Sequence, residues 1–399
     1  MPYRKPMKKY DVAIIGAGAA GLMAAATAGQ RGRSVLLVEH TNTIGAKILI
    51  SGGGRCNFTN LEIKPERFLS RNTHFAKSAL ARYSQHDFIA LVERYKIDYY
   101  EKTLGQLFCV GQGAAKQIVA MLVSEAIAAG VDIKTATTVL NISKPDEFVL
   151  ETDNGAFRAE SVVLATGGLS IPKVGATDFT YRVAERFGLP VVAPRPGLVP
   201  LTVDGDWLEF MAPLAGVSFE AIASLGQHAF REGMLFTHKG LSGPAVLQIS
   251  SYWQEGGEVS FDLMPGQDAA HFLLQAKSSR PNLALKSALA EQLPARFADR
   301  LTHKDFGQRP LARCKDKELI ALAGELKQFR VKPSGTEGYA KAEVTLGGVD
   351  TAALSQKTME TKTVSGLFVV GEAVDVTGWL GGYNFQWAWS SGWCAGMAA

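Results

Sequence analysis

Short unbroken apolar runs alternate with stretches of helical periodicity over the first 170 residues and again after residue 340, and the segment between breaks that rhythm. Asp11-Val12-Ala13-Ile14-Ile15 and Ser34-Val35-Leu36-Leu37-Val38-Glu39 read as strands covered on both faces. Between them lie Gly16-Ala17-Gly18-Ala19-Ala20-Gly21 and an Ala-rich helix to about Arg31. Strand, tight turn, helix and strand in that order make a βαβ unit. Residues 68–100 read as helical, Leu107–Val110 as a strand, Gln117–Ala129 as an amphipathic helix and Val131–Ile133 as a strand. Phe148–Thr152 and Ser161–Ala165 add two strands, the second running into Thr166-Gly167-Gly168. Near the end, Gly366-Leu367-Phe368-Val369-Val370 is a buried strand closing on Gly371-Glu372.

Proline marks the break. Pro194, Pro196 and Pro200 interrupt the pattern on one side, and Lys332-Pro333-Ser334-Gly335-Thr336-Glu337-Gly338 on the other. The spacing predicts an α/β Rossmann-type domain in two pieces, 1–193 and 336–399, around a β-rich module at 194–274 and a helical module at 275–335. Charge divides the insert: 191–274 holds 3 basic and 9 acidic residues, whereas 275–332 holds 13 basic and 6 acidic, a net of +7. The overall charge is only +4, so a polyanion-binding role rests on that local excess, with Arg309, Arg313, Lys315 and Lys317 as the phosphate contacts. A solvated helical face accounts for the same run equally simply.

Glycine carries the chemistry. Gly16-x-Gly18-x-x-Gly21 follows a strand, opens a helix and precedes Glu39 at the end of the second strand, the context that a dinucleotide fingerprint requires. Gly16 permits the turn, Gly18 admits a pyrophosphate, Gly21 packs helix on strand, and Glu39 accepts from ribose hydroxyls. Gly111-Gln112-Gly113-Ala114-Ala115-Lys116 mimics the motif, but lysine stands in place of its last glycine and no ribose-binding acid follows; it reads as a turn and helix start.

Three further features favour a flavin over a nicotinamide. Lys47 and Ser51-Gly52-Gly53-Gly54-Arg55-Cys56-Asn57 form a small-residue turn with cations beside it. Thr166-Gly167-Gly168 closes a mid-domain strand, and Gly371-Glu372 followed by Gly381-Gly382-Tyr383-Asn384-Phe385-Gln386 brings the chain back to the same ligand.

The run from Ile44 to Asn60, with Leu235-Phe-Thr-His-Lys-Gly-Leu-Ser-Gly-Pro244, Glu343-Val-Thr-Leu-Gly-Gly-Val349 and Gly378-Trp-Leu-Gly-Gly-Tyr-Asn-Phe-Gln-Trp387, resembles the BaiN-like (YhiN-type) flavoprotein family over essentially the full length. The resemblance implies an FAD domain of the glutathione-reductase type, with His40, Gly45, Val139 and Gly347 joining the cofactor contacts above. It also implies reduction of a conjugated C=C bond. One branch of the family acts on unsaturated bile-acid intermediates. The other, to which this chain is more similar, is a ribosomal RNA dihydrouridine synthase, and the basic module suits such a substrate. No second dinucleotide fold is visible, so either NAD(P)H visits the open flavin face transiently as reductant or an unrelated donor reduces the enzyme.

Reducing a uracil ring takes a hydride from reduced flavin and a proton from an acid. Cys56, His238 and Tyr383 are the candidate donors, although Cys56 can equally pack beneath the cofactor, His238 bond a carbonyl, and Tyr383 wall the ring. Trp379, Phe385, Trp387 and Trp389 can stack on a ligand or fill the core. A small-molecule ene-reductase or oxidase is the competing enzyme, and a flavin-bound RNA assembly factor without turnover the competing non-enzyme.

The remaining composition narrows the setting. Cys56, Cys109, Cys314 and Cys394 form no C-x-x-C pair, which argues against a dithiol centre or a zinc knuckle, and no metal is expected. The basic first ten residues lead into a four-residue apolar run, a strand rather than a signal-peptide core. No apolar stretch is long enough to span a bilayer, and a cytoplasmic protein is expected.

Overall fold

A computed structural model describes residues 7–302 and 304–399, with the backbone alone at Lys304. The chain forms two compact units, one from residues 1–195 with 344–399 and the other from 196–343.

The first unit is built on a parallel sheet. β1 (Lys8–Ile15) lies between β2 (Val35–Val38) and the Gly155–Leu164 strand; Asp132–Lys134 extends the sheet beyond β2 and Leu367–Val369 beyond Gly155–Leu164. The long Gly155–Leu164 strand serves two partners along one edge. Its first half pairs antiparallel with Phe148–Thr152, itself paired with Val139–Ser143, and its second half takes Leu367–Val369 in parallel. Every residue of β2 is buried, which is why that strand reads as continuous Val-Leu-Leu-Val.

Helix α1 (Ala19–Gln30) is rich in alanine because helices pack on it closely. A Cβ at Gly392 of the last helix, Tyr383–Gly396, would lie 2.3 Å from the Ala20 carbonyl oxygen, and one at Gly396 would lie 2.6 Å from that of Ala24. That helix also carries Trp387 and Trp389 into the core.

Residues 68–100, expected as helix throughout, are two short helices, Ala76–Arg82 and Gln85–Arg94, with strands Phe68–Leu69 and Tyr99–Glu101 at either end. The break is chemical: Ser84 and Asp87 form a reciprocal capping box that starts a new helix. The Gly111–Gly113 turn does lead into a helix, Ala115–Ala128.

The second unit is a seven-stranded sheet whose central strands Ser218–Leu225 and His228–Thr237 form a hairpin. The helical stretch expected as a module of its own belongs to this unit. Its helices are 5 to 12 residues long, too short to bury a face alone. Phe297 from Ala295–Leu301 packs against Phe219 and Phe236 of the hairpin at centroid distances of 5.2 and 5.3 Å. The chain then re-enters the sheet, with Phe329–Val331 paired to Val259–Asp262. Among the described residues no helix is long and apolar enough to cross a membrane.

Candidate functional site

At the carboxyl ends of the parallel strands the chain prepares two carboxylates. The first is Glu39. One of its oxygens accepts the Ala17 N–H at 3.0 Å, and the other accepts from the Thr41 N–H and hydroxyl, both at 2.9 Å, with His40 Nδ1 at 3.1 Å. Ala17 also accepts the Gly45 N–H, at 2.9 Å, so the peptides on either side of Ala17 in the glycine turn are each held. Gly16 has φ +103°, and a Cβ there would sit 2.6 Å from the Ala165 oxygen; one at Gly21 would sit 1.9 Å from the Gly16 oxygen. Gly18 differs: its φ is −83°, and a Cβ on it meets nothing within 4 Å. It caps α1 without any side-chain hydrogen bond, leaving N–H groups of the first turn directed at open space.

The second carboxylate is Glu372. Lys47 Nζ, in α2 (Ala46–Ile50), donates to one oxygen at 2.9 Å, and Ser170 Oγ and the Thr345 N–H donate to the other at 2.8 and 2.9 Å. Lys47 also donates to Ser170 Oγ at 2.7 Å. Thr345 Oγ1, buried, accepts the N–H groups of Leu169 and Ser170. Four separate stretches of chain thus meet at one carboxylate. Gly168 must be glycine here, since a Cβ would lie 2.5 Å from Thr345 Oγ1 and 2.7 Å from Glu372. Thr345 lies in the Glu343-x-Thr345-x-Gly347-Gly348 segment expected to line the ring pocket, whereas Ser170 had not been expected as a site residue; its position just after Gly167-Gly168 was the available signal.

The HI0933-like protein Rossmann domain family matches residues 10–398. The chain belongs to that family. It is 51% identical over 98% of both chains to a protein of Escherichia coli named ribosomal RNA dihydrouridine synthase, and 46% identical, over 96% of this chain and 97% of the relative, to one of that name from Haemophilus influenzae. A 3-dehydro-bile acid delta(4,6)-reductase of Clostridium scindens is 29% identical over 97% of this chain and 98% of its own. The structure of a 3-ketosteroid-delta4-(5alpha)-dehydrogenase from Rhodococcus jostii superposes with a TM-score of 0.50 at 16% identity, covering 99% of this chain and 98% of that one. The resemblance read from the motifs is borne out, and with it an FAD-dependent oxidoreductase on a Rossmann fold.

The residues present fit the cofactor of an HI0933-like flavoprotein. Open space at Gly18 with uncapped N–H groups suits a pyrophosphate, and Glu39 suits a ribose. Gly53 and Gly167 likewise have positive φ and open space where a Cβ would point. Lys47 and Glu372 offer a paired cation and anion at the return end. Gly371 donates its N–H to Ser391 Oγ at 3.0 Å, and Asn384 ties to the Gly378 N–H and carbonyl at 2.9 Å, so both hold the return loop in shape. Gly347, Gly381 and Gly382 are glycine because Ala193, Gln106 and Thr59 crowd them.

Several expected contacts are instead structural. Gln386 has no accessible surface, and its amide is saturated by the Thr59 hydroxyl, the Tyr83 carbonyl and Ser390. Val139 is a core residue of its strand. Cys56 is fully buried under the glycine loop, and desolvation pushes its thiol pKa far up. Tyr383 is 2% exposed, and its hydroxyl is engaged by Arg67 and donates to the Glu62 carbonyl. Trp387 and Trp389 donate their indole N–H groups to the Gly371 and Phe58 carbonyls and belong to the core. Trp379 and Phe385 are half-buried.

One candidate donor, His238, is accessible, and Glu343 is a second accessible acid. His238 is exposed in the two-residue turn joining His228–Thr237 to Gly240–Ser242. Glu343, just ahead of the return strand, is exposed, and partial desolvation of its carboxyl raises its pKa. Of the basic residues, Arg309 pairs with Glu318 at 3.3 Å, and Glu318 also accepts the Lys315 N–H at 2.7 Å to cap the next helix. The side chains of Arg313, Lys315 and Lys317 are exposed.

Proposed function

We propose that this chain reduces uridine to dihydrouridine in large-subunit ribosomal RNA. The carrying observation is its 51% identity, across 98% of its length, to a protein named for that activity. The cofactor, once bound, supplies the hydride for the C5=C6 bond, and NAD(P)H is the reductant we assign. The protein's own part is positioning and proton delivery. Uncapped N–H groups of α1 and the Glu39 carboxylate anchor one end of the cofactor; the Lys47–Glu372–Ser170 node orders the other. The target base must be presented out of its stack.

His238 is retained from the sequence as a proton donor, and Glu343 is added to it as a carboxyl whose pKa desolvation raises. E343Q should keep its flavin and lose about 10²- to 10⁴-fold in turnover, the usual worth of a general acid. Wild-type turnover in E343Q would return the role to His238.

Mass spectrometry of ribosomal RNA from cells with and without the gene tests the reaction. A dihydrouridine that vanishes with the gene and returns with purified holoprotein and NAD(P)H supports it. An unchanged RNA profile, with turnover of free conjugated enones, supports a small-molecule ene-reductase instead. Arg313 and Lys317 are the insert's proposed phosphate contacts. R313A/K317A should lower the salt slope of RNA binding by about 1.4 to 1.8, two phosphates' worth, with flavin content unchanged. Such a role fits a cytoplasmic enzyme.

A further inference from the structure

The Ser51–Gly54 loop adjoins a small three-stranded sheet whose outer face, apart from Arg55 and Asn57 expected above as cofactor contacts, has no role so far. Its strands are β3 (Asn57–Asn60), Gln106–Cys109 and Tyr99–Glu101, in the order β3, Gln106–Cys109, Tyr99–Glu101. The two faces differ completely. One face is core: Tyr99 packs edge-on against Phe58, and Phe58 against Phe88. The other face carries a row across the strands, Asn57 opposite Phe108 and Phe108 opposite Tyr100.

That outer row is cationic and aromatic. The Phe108 and Tyr100 rings stack at a centroid distance of 6.0 Å. The Arg55 guanidinium lies 5.8 Å from the Phe108 ring centre and donates to the Tyr100 hydroxyl at 3.3 Å, and Lys102 Nζ lies 5.4 Å from the same ring. Phe108 is buried beneath Gly52, where a Cβ would come within 2.7 Å of the ring, and Tyr100 is half-buried, so the exposed part of its ring is the accessible aromatic surface of the row. Lys116 joins the rim: it follows Ala115, whose N–H donates to the Gly54 carbonyl at 3.0 Å. Arg55, Lys102 and Lys116 form no salt bridge among the described residues. Of the acids in the adjoining strand segment, Glu101 points to the other face and accepts the Gly105 N–H, and Asp98 lies ahead of the strand.

Exposed apolar side chains lie in the chain segments next to this loop and these strands. Ile50, Leu61, Leu104 and Val110, 39 to 60% exposed, are four of the nine large apolar residues left exposed among the described residues. A solvated protein face has no need of that concentration.

We infer that this face is a second RNA-binding surface, one that receives a single-stranded segment flanking the target uridine, with a base stacked on Tyr100 and phosphates on Lys102 and Lys116. The inference rests on the RNA reading above and specifies where on the flavin-binding unit the strand lies. Charge complementarity selects the occupant: three cations without carboxylate partners beside an aromatic plane suit single-stranded nucleic acid, which binds through stacking and backbone charge together.

The test uses full-length holoprotein and a fluorescently labelled single-stranded RNA carrying the uridine and its flanks, with affinity measured across a salt series. Y100A should weaken binding about 5- to 100-fold, the worth of one stacked base, while Y100F retains the ring and stays near wild type. K102A/K116A should lower the salt slope by about 1.4, with flavin content unchanged. Firm wild-type binding that Y100A and K102A/K116A both leave intact overturns this inference alone. The same result with an altered oligomeric mass also overturns it and gives the face to a protein partner. Wild-type holoprotein that neither binds nor modifies RNA overturns the RNA reading and this surface with it.

Discussion

Glu39 and Glu372 do comparable electrostatic work by opposite means. Each is a largely buried carboxylate at the end of a parallel strand, and each satisfies three or more donors. Glu39 draws its partners from its own βαβ unit, residues 17 to 41. Glu372 draws them from residues 47, 170 and 345, so it joins segments that the sequence holds far apart. A local carboxylate tunes a loop already shaped by its strand and helix. A long-range carboxylate decides whether the site assembles at all.

E372A should therefore be the more damaging change. It strands the Lys47 ammonium, 29% exposed, together with Ser170 and the Thr345 N–H. We expect a stability loss of about 2–4 kcal/mol in denaturant melts and protein purified largely without flavin. Retention of full flavin content would overturn the view of Glu372 as the organising node. E39Q keeps an acceptor for Ala17 but loses charge-assisted strength. It should fold normally and bind flavin about 5- to 10-fold more weakly by titration of the apoprotein, near 1 kcal/mol for a weakened charged hydrogen bond. Equal losses in E39Q and E372A would erase the distinction between the two ends.

The smallest expected effect concerns a neighbour of the return loop. Asp375 is buried and faces Asp350, and both raise its pKa above the ordinary 3.8 despite the Arg71 N–H at 2.9 Å and the nearby Arg71 charge. A folded-state pKa above the unfolded one means that the folded protein binds the extra proton. Stability from this group is thus present below pH 3.8 and lost as pH rises through the raised value. D375N should flatten the decline of melting temperature over that window, and a profile unchanged from wild type would assign the pH dependence to other groups.

Local features were the legible ones. The Gly16–Gly21 turn, β1, β2 and Glu39 lie within forty residues, so spacing alone carried their geometry. The +7 segment was read correctly as helical but not as part of the β-rich insert, because composition does not show that Phe297 completes the aromatic core of a sheet. Cys56, Tyr383 and Gln386 were singled out by residue type and motif. Their side chains turn inward, onto packing and hydrogen bonds supplied by residues as distant as Thr59 from Gln386 and Arg67 from Tyr383.

By itself the sequence determined the class of cofactor, the two-piece Rossmann domain around an insert, and the family, since each depends on residues close in the chain or on motifs kept whole. Only the tertiary structure decided which polar groups remain accessible. It brought Lys47, Ser170 and Thr345 to Glu372, buried Cys56 and Tyr383, and left Lys102 and Lys116 exposed near a half-buried Tyr100. Burial and hydrogen-bond saturation depend on which distant segments pack together, and one-dimensional spacing carries no record of that.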